Sequence, residues 1–379
     1  MRFVSKTAFV LVSATLLCSV AQASPAATGA EPIAACMAHA AADLGFNGVV
    51  YARHGDLTIE KEFGAADTGG KTPVTGETRF NIGSAAKMFT AVAIGRLVDK
   101  GTVQLDAPIG RYLTDLKPEF ARITVAELLN HTSGLGDYFN PQNKAAIDAA
   151  VTATDLLPLA LATPPAFTPG SKRAYSNSGF VVLGAIIEKV SGLSYADFIR
   201  KEILAPLGMT HTRMEVEGSA DPMSRMSPEG MLDKPRPSPF RQLRASPAGG
   251  IFSTASDLSV FLTVLTDGRL LSHATSTALL MPRTDPGGGP GTYGYGFNVR
   301  VKPTLRVGHG GGAPGVNAEI ALYPESGWQL IALSNYDPPV ASRMVTVLES
   351  VVAAADPAAA CTMALADPAL KAPMAPPQH

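Results

Sequence analysis

Residues 84–101 read SAAKMFTAVAIGRLVDKG, and the rest of the chain can be organised around this stretch. Ser84 and Lys87 head an apolar run in which Met88, Val92, Leu97 and Val98 recur at helical spacing and Gly101 marks the stop. A helix therefore opens near Ser84, and the i, i+3 spacing sets the hydroxyl and the amine on one face. A serine hydroxyl is a weak nucleophile until a base takes its proton. A lysine held in a dry site can shed its charge and act as that base. The helix N-terminus also favours negative charge developing on the serine oxygen. A capping serine beside a solvated lysine would be written the same way, so the pattern needs company before it means chemistry.

Working outward, the Ser-x-x-Lys helix is flanked by strand signals at both ends of the chain. Residues 32–44 form an Ala-rich helical stretch. Residues 49–53 and 57–61 then read as two strands joined tightly at His54-Gly55-Asp56. Residues 294–301, 305–308, 316–322 and 329–334 read as strands, followed by a helix over 340–355. Between the two strand groups the texture is helical. Thr124-Val125-Ala126-Glu127 has the capping-box pattern, residues 180–190 are apolar enough to be buried all round, and Ser194 with Asp197 and Thr254 with Asp257 open two more helices. The fold class is thus α/β (α+β): a sheet built from both chain ends and flanked by helices, with a mostly helical lobe inserted over about 102–250. The conformations of 140–154 and 221–239 do not follow from their sequence.

Two more groups carry chemistry. Tyr175-Ser176-Asn177 follows the turn at Thr168-Pro169-Gly170, and i, i+2 spacing in extended backbone lets Tyr175 and Asn177 face one cleft. A phenol near a cationic lysine can shuttle a proton, and Asn177 can donate to a substrate carbonyl. His309-Gly310-Gly311-Gly312 ends a strand, where glycines let a substrate approach the backbone and leave amides free to donate. One of them, with the amide of Ser84, would make an oxyanion hole.

In this order and setting, Ser-x-x-Lys, Tyr-x-Asn and His-x-Gly resemble the serine β-lactamase and penicillin-binding-protein superfamily, and most closely the class C β-lactamases with their esterase and D-aminopeptidase relatives. The stretches ITVAELLNHTSGL (123–135), FTPGSKRAYSN (167–177), PLGM (206–209), AGGIFSTASD (248–257) and YGYGF (293–297) support the likeness, which spans about 45–350. The resemblance implies an antiparallel sheet beside a helical lobe, with the site between them. It makes Ser84 the acylated nucleophile, gives Lys87 and Tyr175 the acid/base work in an order left open, and has Asn177 orient the substrate. Gly311 and Gly312 fall in the substrate-binding and oxyanion segment. His309 stands where β-lactamases usually carry lysine. Histidine is a less dependable cation at neutral pH, which favours an ester or D-amino-acid amide or peptide over a β-lactam. Arg241 and Arg244 either replace the lost charge or are solvated. His131 is assigned to a turn near the lobe boundary. The alternatives are a β-lactamase, a D,D-carboxypeptidase, or a catalytically silent protein that binds cell-wall peptides.

The remaining features set limits. Of 379 residues, 46% are hydrophobic and 17% charged, with a net charge of −1, so nothing builds the basic footprint of a nucleic-acid binder. Arg2 and Lys6, the apolar run 7–20 and Ala21-Gln22-Ala23 read as a cleavable signal peptide over 1–23, which makes the protein secreted or periplasmic, and no later run is long enough to span a membrane. Residues 24–356 then form one catalytic domain and 357–379 a Pro/Ala-rich tail. Cys18 leaves with the leader. Cys36 and Cys361 are either bridged or separate thiols, and the family fold, which sets the terminal helices together, favours the bridge. No Gly-x-Ser-x-Gly, His-Glu-x-x-His or Cys/His cluster is present, so neither a metal nor a cofactor is expected; residues 286–290 lack the Lys-Ser/Thr of a phosphate loop. Oligomeric state is open.

Overall fold

The strand signals at the two ends of the chain resolve into one sheet. A computed structural model of the protein describes residues 29–215, 218–227, 230–238, 246–283 and 292–370. The leader at 1–23, Arg241, Arg244 and the glycine run at 286–290 lie outside the described residues. β1 (Gly48–His54) and β2 (Leu57–Phe63) form the expected hairpin, turning at Gly55 with φ +58°. The other chain end supplies β3 (Asn298–Arg300), β4 (Arg306–Ala313), β5 (Val316–Tyr323) and β6 (Trp328–Ser334). The order is β2-β1-β6-β5-β4-β3 with antiparallel pairing throughout, and Val50 of β1 lies opposite Ala332 of β6.

The helices that frame this sheet and the site are α1 (Ala30–Leu44), α2 (Ala86–Asp99), α3 (Asn177–Ser191), α4 (Ala255–Val264), α5 (Val340–Val352) and α6 (Pro357–Leu365). Strand alternation divides the core between them. Val50, Ala52, Leu330 and Ala332 pack with Ile33, Met37, Met344 and Leu348 of α1 and α5. Val49, Tyr51, Ile331 and Leu333 point the other way, into the larger cluster that holds α2, α3 and α4. There Phe89 of α2 stacks on Phe261 of α4 at 4.1 Å between ring centroids. The lobe behaves as its sequence implies: Thr124 and Glu127 close a capping box on the helix Val125–Leu129, and α3 buries Phe180, Val182 and Ile186 completely. No single helix among the described residues is long and apolar enough to cross a membrane.

Three expectations change. Residues 357–379 were expected as a tail, but they open with α6. Pro357 suits a first helical position, the Asp356 carboxylate accepts the Ala358 and Ala359 amides at 3.1 Å, and Cys361 and Leu365 are buried. Cys361 is bonded to Cys36 of α1, their Cα atoms 5.8 Å apart. Second, β4 does not stop at Gly308 but continues through the glycines to Ala313, because His309, Gly311 and Gly312 still pair with Ile320, Ala318 and Asn317 of β5. Third, the segment 294–297 turns instead of extending, with the Gly294 amide donating to the Phe297 carbonyl at 2.8 Å. Within 221–239, Met223–Ser227 and Gly230–Pro237 pair as a two-stranded hairpin.

Candidate active site

Ser84 sits in a tight bend between a short strand and a buried helix. Phe80–Asn81 pairs with Phe252–Ser253, and a one-turn 3-10 helix (Gly83–Ala85) then feeds α2. Gly83 makes the bend possible with φ +52°; a Cβ there would also sit 3.0 Å from the Gly312 nitrogen. Lys87 follows one turn later. Every residue of α2 from Ala86 to Gly95 is buried, and Lys87 itself is 0% exposed.

The Lys87 amine has three hydrogen-bonding neighbours: Ser84 Oγ at 3.1 Å, Asn177 Oδ1 at 2.8 Å and the Ala248 carbonyl at 2.8 Å. The Ala248 segment is anchored against α2 by Thr90, whose hydroxyl donates to the Pro247 carbonyl at 2.7 Å. Burial pulls Lys87 from its ordinary value down to about 7, against the opposing charge of the Asp137 carboxylate. A neutral amine has two N–H groups and one lone pair. The Asn177 and Ala248 oxygens can only accept, so they claim both hydrogens, and the lone pair is left facing the Ser84 hydroxyl. The geometry therefore points the serine proton at the lysine nitrogen.

Tyr175 and Asn177 arrive together, as their spacing implies, but in different backbone. Ser176 caps α3 by accepting the Gly179 amide, and Asn177 is the first residue of that helix. Tyr175 is 51% exposed; its ring centroid lies 4.9 Å from the Lys87 amine, and its hydroxyl interacts with Ser84. Burial of that hydroxyl raises its pKa, so the phenol stays protonated at neutral pH. Asn177 was expected to donate to substrate. Its amide spends one of two N–H groups on Asp137 Oδ2 at 2.7 Å, because the donor-only lysine takes its oxygen and the acceptor-only carboxylate an amide hydrogen, which leaves the second N–H for that role.

His309 faces the same site from β4, 4% exposed, and it is not a cation. Its Nε2 lies 2.9 Å from the Tyr293 hydroxyl and its Nδ1 2.5 Å from the Gly310 carbonyl. The carbonyl can only accept, so Nδ1 carries the proton and Tyr293 donates to Nε2. Burial, reinforced by the positive charge of Lys87, drives the imidazole down to about 3. His131 does occupy a turn, with φ +64°, yet it also adjoins the site. Its ring lies 4.4 Å from that of Tyr175 and 4.7 Å from that of Tyr293, and its Nδ1 accepts the Ser176 amide at 3.2 Å. Burial holds it too well below the usual imidazole range.

Gly311 and Gly312 bring β4 against the Ser84 bend. A Cβ on Gly311 would lie 1.9 Å from the Ile82 carbonyl oxygen, so no other residue fits that register without moving the strand. The Ser84 amide, in the first turn of its helix, and the backbone of Gly312 thus lie on facing segments, the arrangement an oxyanion hole requires.

Four contributors were not read from sequence: Asp137, Tyr293, the Ala248 carbonyl and the His131 clamp on Tyr175. His131, Tyr293 and Ala248 fall inside stretches that carried the family likeness, but a stretch gives no role. Asp137 lies two residues past such a stretch and had no local signal.

Comparison with known proteins places the chain in a family. The Beta-lactamase family model matches residues 33–353. Penicillin-binding protein 4* of Bacillus subtilis (strain 168) is 31% identical over 319 residues, covering 76% of this chain and 68% of that protein. Esterase EstB of Burkholderia gladioli is 32% identical over 175 residues, 42% of this chain and 44% of the esterase. The solved D-amino acid amidase from Ochrobactrum anthropi SV3, complexed with L-phenylalanine amide, superposes with a TM-score of 0.72 at 29% identity, covering 88% of this chain and 97% of the amidase. A sheet made from both chain ends, a serine–lysine pair at its edge and a family match over most of the length lead to one placement: this chain belongs to the β-lactamase family of serine hydrolases.

Proposed function

We propose that the protein hydrolyses an ester or a D-amino-acid amide through an acyl-enzyme on Ser84. The observation that carries this reading is the buried, near-neutral Lys87 with its lone pair directed at the Ser84 hydroxyl. Ser84 Oγ attacks the substrate carbonyl as its proton passes to Lys87 Nζ. The carbonyl oxygen, now an anion, is received by the Ser84 and Gly312 amides. When the tetrahedral centre collapses, the Tyr175 hydroxyl gives its proton to the leaving oxygen or nitrogen and takes one back from Lys87. Water then attacks the acyl-serine, and the same groups return the proton to Ser84 Oγ. A neutral His309 offers no fixed charge to a lactam carboxylate, which supports ester or amide over β-lactam.

The test is mass spectrometry after exposure to a fluorophosphonate, with p-nitrophenyl butyrate and nitrocefin hydrolysis measured alongside. A covalent adduct on Ser84, absent in Ser84→Ala, with ester turnover far above lactam turnover is the expected result. Fast nitrocefin turnover would move the assignment to a β-lactamase. No adduct and no turnover would leave a peptide-binding protein. We also propose that the chain is exported. The leader pattern at 1–23 and the Cys36–Cys361 pairing support this, since disulfides persist in oxidising compartments. An intact mass that retains residues 1–23 in protein recovered from the producing cell's exterior would refute cleavage.

A further inference from the structure

Asp137 is an exposed carboxylate one amide group away from the lysine at the centre of the site. Its Oδ2 accepts from Asn177 at 2.7 Å and its Oδ1 accepts the Phe139 amide at 2.9 Å. An ionised carboxylate can accept about four hydrogen bonds, so both oxygens keep capacity. Among the described residues no lysine, arginine or histidine forms an ion pair with it. Asn177 and the Phe139 amide fix its position, and the residue is exposed. Unpaired carboxylates on a surface are ordinary. This one is held by the same asparagine that holds Lys87, so its place relative to the nucleophile is set by two hydrogen bonds of the reaction centre itself.

We propose that Asp137 is a specificity residue whose carboxylate receives the α-ammonium of the acyl group, so that the preferred substrates are α-amino amides or esters with a free amine. The inference rests on the acyl-enzyme reading above. An α-ammonium stands two bonds from the carbonyl carbon that Ser84 attacks, so a substrate held at Ser84 carries it close to the reaction centre, where Asp137 is joined to Lys87 through Asn177. The electrostatics run the same way: Asp137 favours positive charge on Lys87 and opposes negative charge on Tyr175, so its field reaches the reacting atoms. His309, uncharged, supplies no competing attraction for a substrate anion. A charge-assisted hydrogen bond to a bound ammonium is worth about 1.5–3 kcal/mol, or roughly ten- to hundredfold in affinity.

The test compares D-phenylalanine amide with N-acetyl-D-phenylalanine amide, as substrates and as competitors of p-nitrophenyl butyrate hydrolysis by the full chain. The expected wild-type preference for the free amine is at least about tenfold. Asp137→Asn should reduce that ratio to near one, whereas Asp137→Glu should keep most of it. The ratio is the readout because Asn177 couples Asp137 to the overall rate. Equal behaviour of the two amides in the wild type, no competition by either, or a preference that survives in Asp137→Asn would each overturn the proposal. Failure of the acyl-enzyme reading is separate and shows first, as absence of both the fluorophosphonate adduct and butyrate turnover in the wild type.

Discussion

Replacing Lys87 with methionine should remove catalysis and, at the same time, flatten one component of the protein's pH-dependent stability. Burial lowers the amine from 10.5 in the unfolded chain to about 7 in the folded one. Between those values the unfolded state binds a proton that the native state does not, so stability rises with pH there. The contribution is fully present above 10.5 and is lost as pH falls through about 7. Linkage over the span from pH 7 to 9 gives wild type a gain of about 2 kcal/mol relative to Lys87→Met. Loss of the Asn177 and Ala248 hydrogen bonds in the variant shifts its absolute stability but not this difference in slope. Urea unfolding at several pH values measures it, followed through the chain's single tryptophan, Trp328, buried at the start of β6. In parallel, wild-type kcat/KM for a neutral ester should climb through about pH 7 as the amine loses its proton, and Lys87→Met should lose at least about 100-fold. A stability difference independent of pH between 7 and 9, or a flat rate profile, would refute the neutral-lysine account.

Two further substitutions separate proton transfer from framework. Tyr175→Phe should slow single-turnover acylation by at least about 100-fold while leaving the fluorophosphonate site on Ser84; an unchanged rate removes the phenol from the mechanism. Gly311→Ala forces a Cβ to within 1.9 Å of the Ile82 oxygen and should cost about 1–3 kcal/mol in unfolding free energy, together with most ester turnover, as β4 shifts away from Ser84. Wild-type stability and activity in that variant would show that the strand has room the structure denies.

How far the sequence could be read depended on the range of the signal. The hairpin at Gly55, the capping box at Thr124 and the all-apolar face of α3 are local, and each appears where its pattern placed it. One sheet from both chain ends is legible because strand patterns flank a helical block on both sides, but the remote pairing of β1 with β6 within it is not. The misreadings share a cause. Glycines in 309–312 signal a turn when considered alone, but β5 and the Ile82 backbone give them a sheet partner and a close neighbour that only they admit. The alanines and prolines after 356 looked like a linker until the capping Asp356 and the buried Cys361 made them a helix. Ser84, Lys87, Tyr175, Asn177 and His309 were legible through the family that their three motifs together resemble, not through any one spacing, and the structure brings all five together. Their protonation states were not legible, because these depend on burial and on partners such as Tyr293 and Asp137 that come from elsewhere in the chain.

The neutrality of His309 follows from its neighbours more than from its own chemistry. Both ring nitrogens are engaged, one by a carbonyl that demands a hydrogen and one by a phenol whose own ionisation burial suppresses. A second proton on the imidazole would displace the Tyr293 donor and set a positive charge beside Lys87, where no buried carboxylate among the described residues offsets it. Among the described residues the acidic group that acts on this centre, Asp137, is exposed and lies across Asn177 on the Lys87 side. A cation at position 309 would therefore lower the Lys87 amine further, while a neutral ring leaves it near the pH at which a base is useful. The same choice removes an attraction for substrate anions beside Lys87. Tuning of the base is, in this site, a consequence of one arrangement of partners around two buried nitrogens.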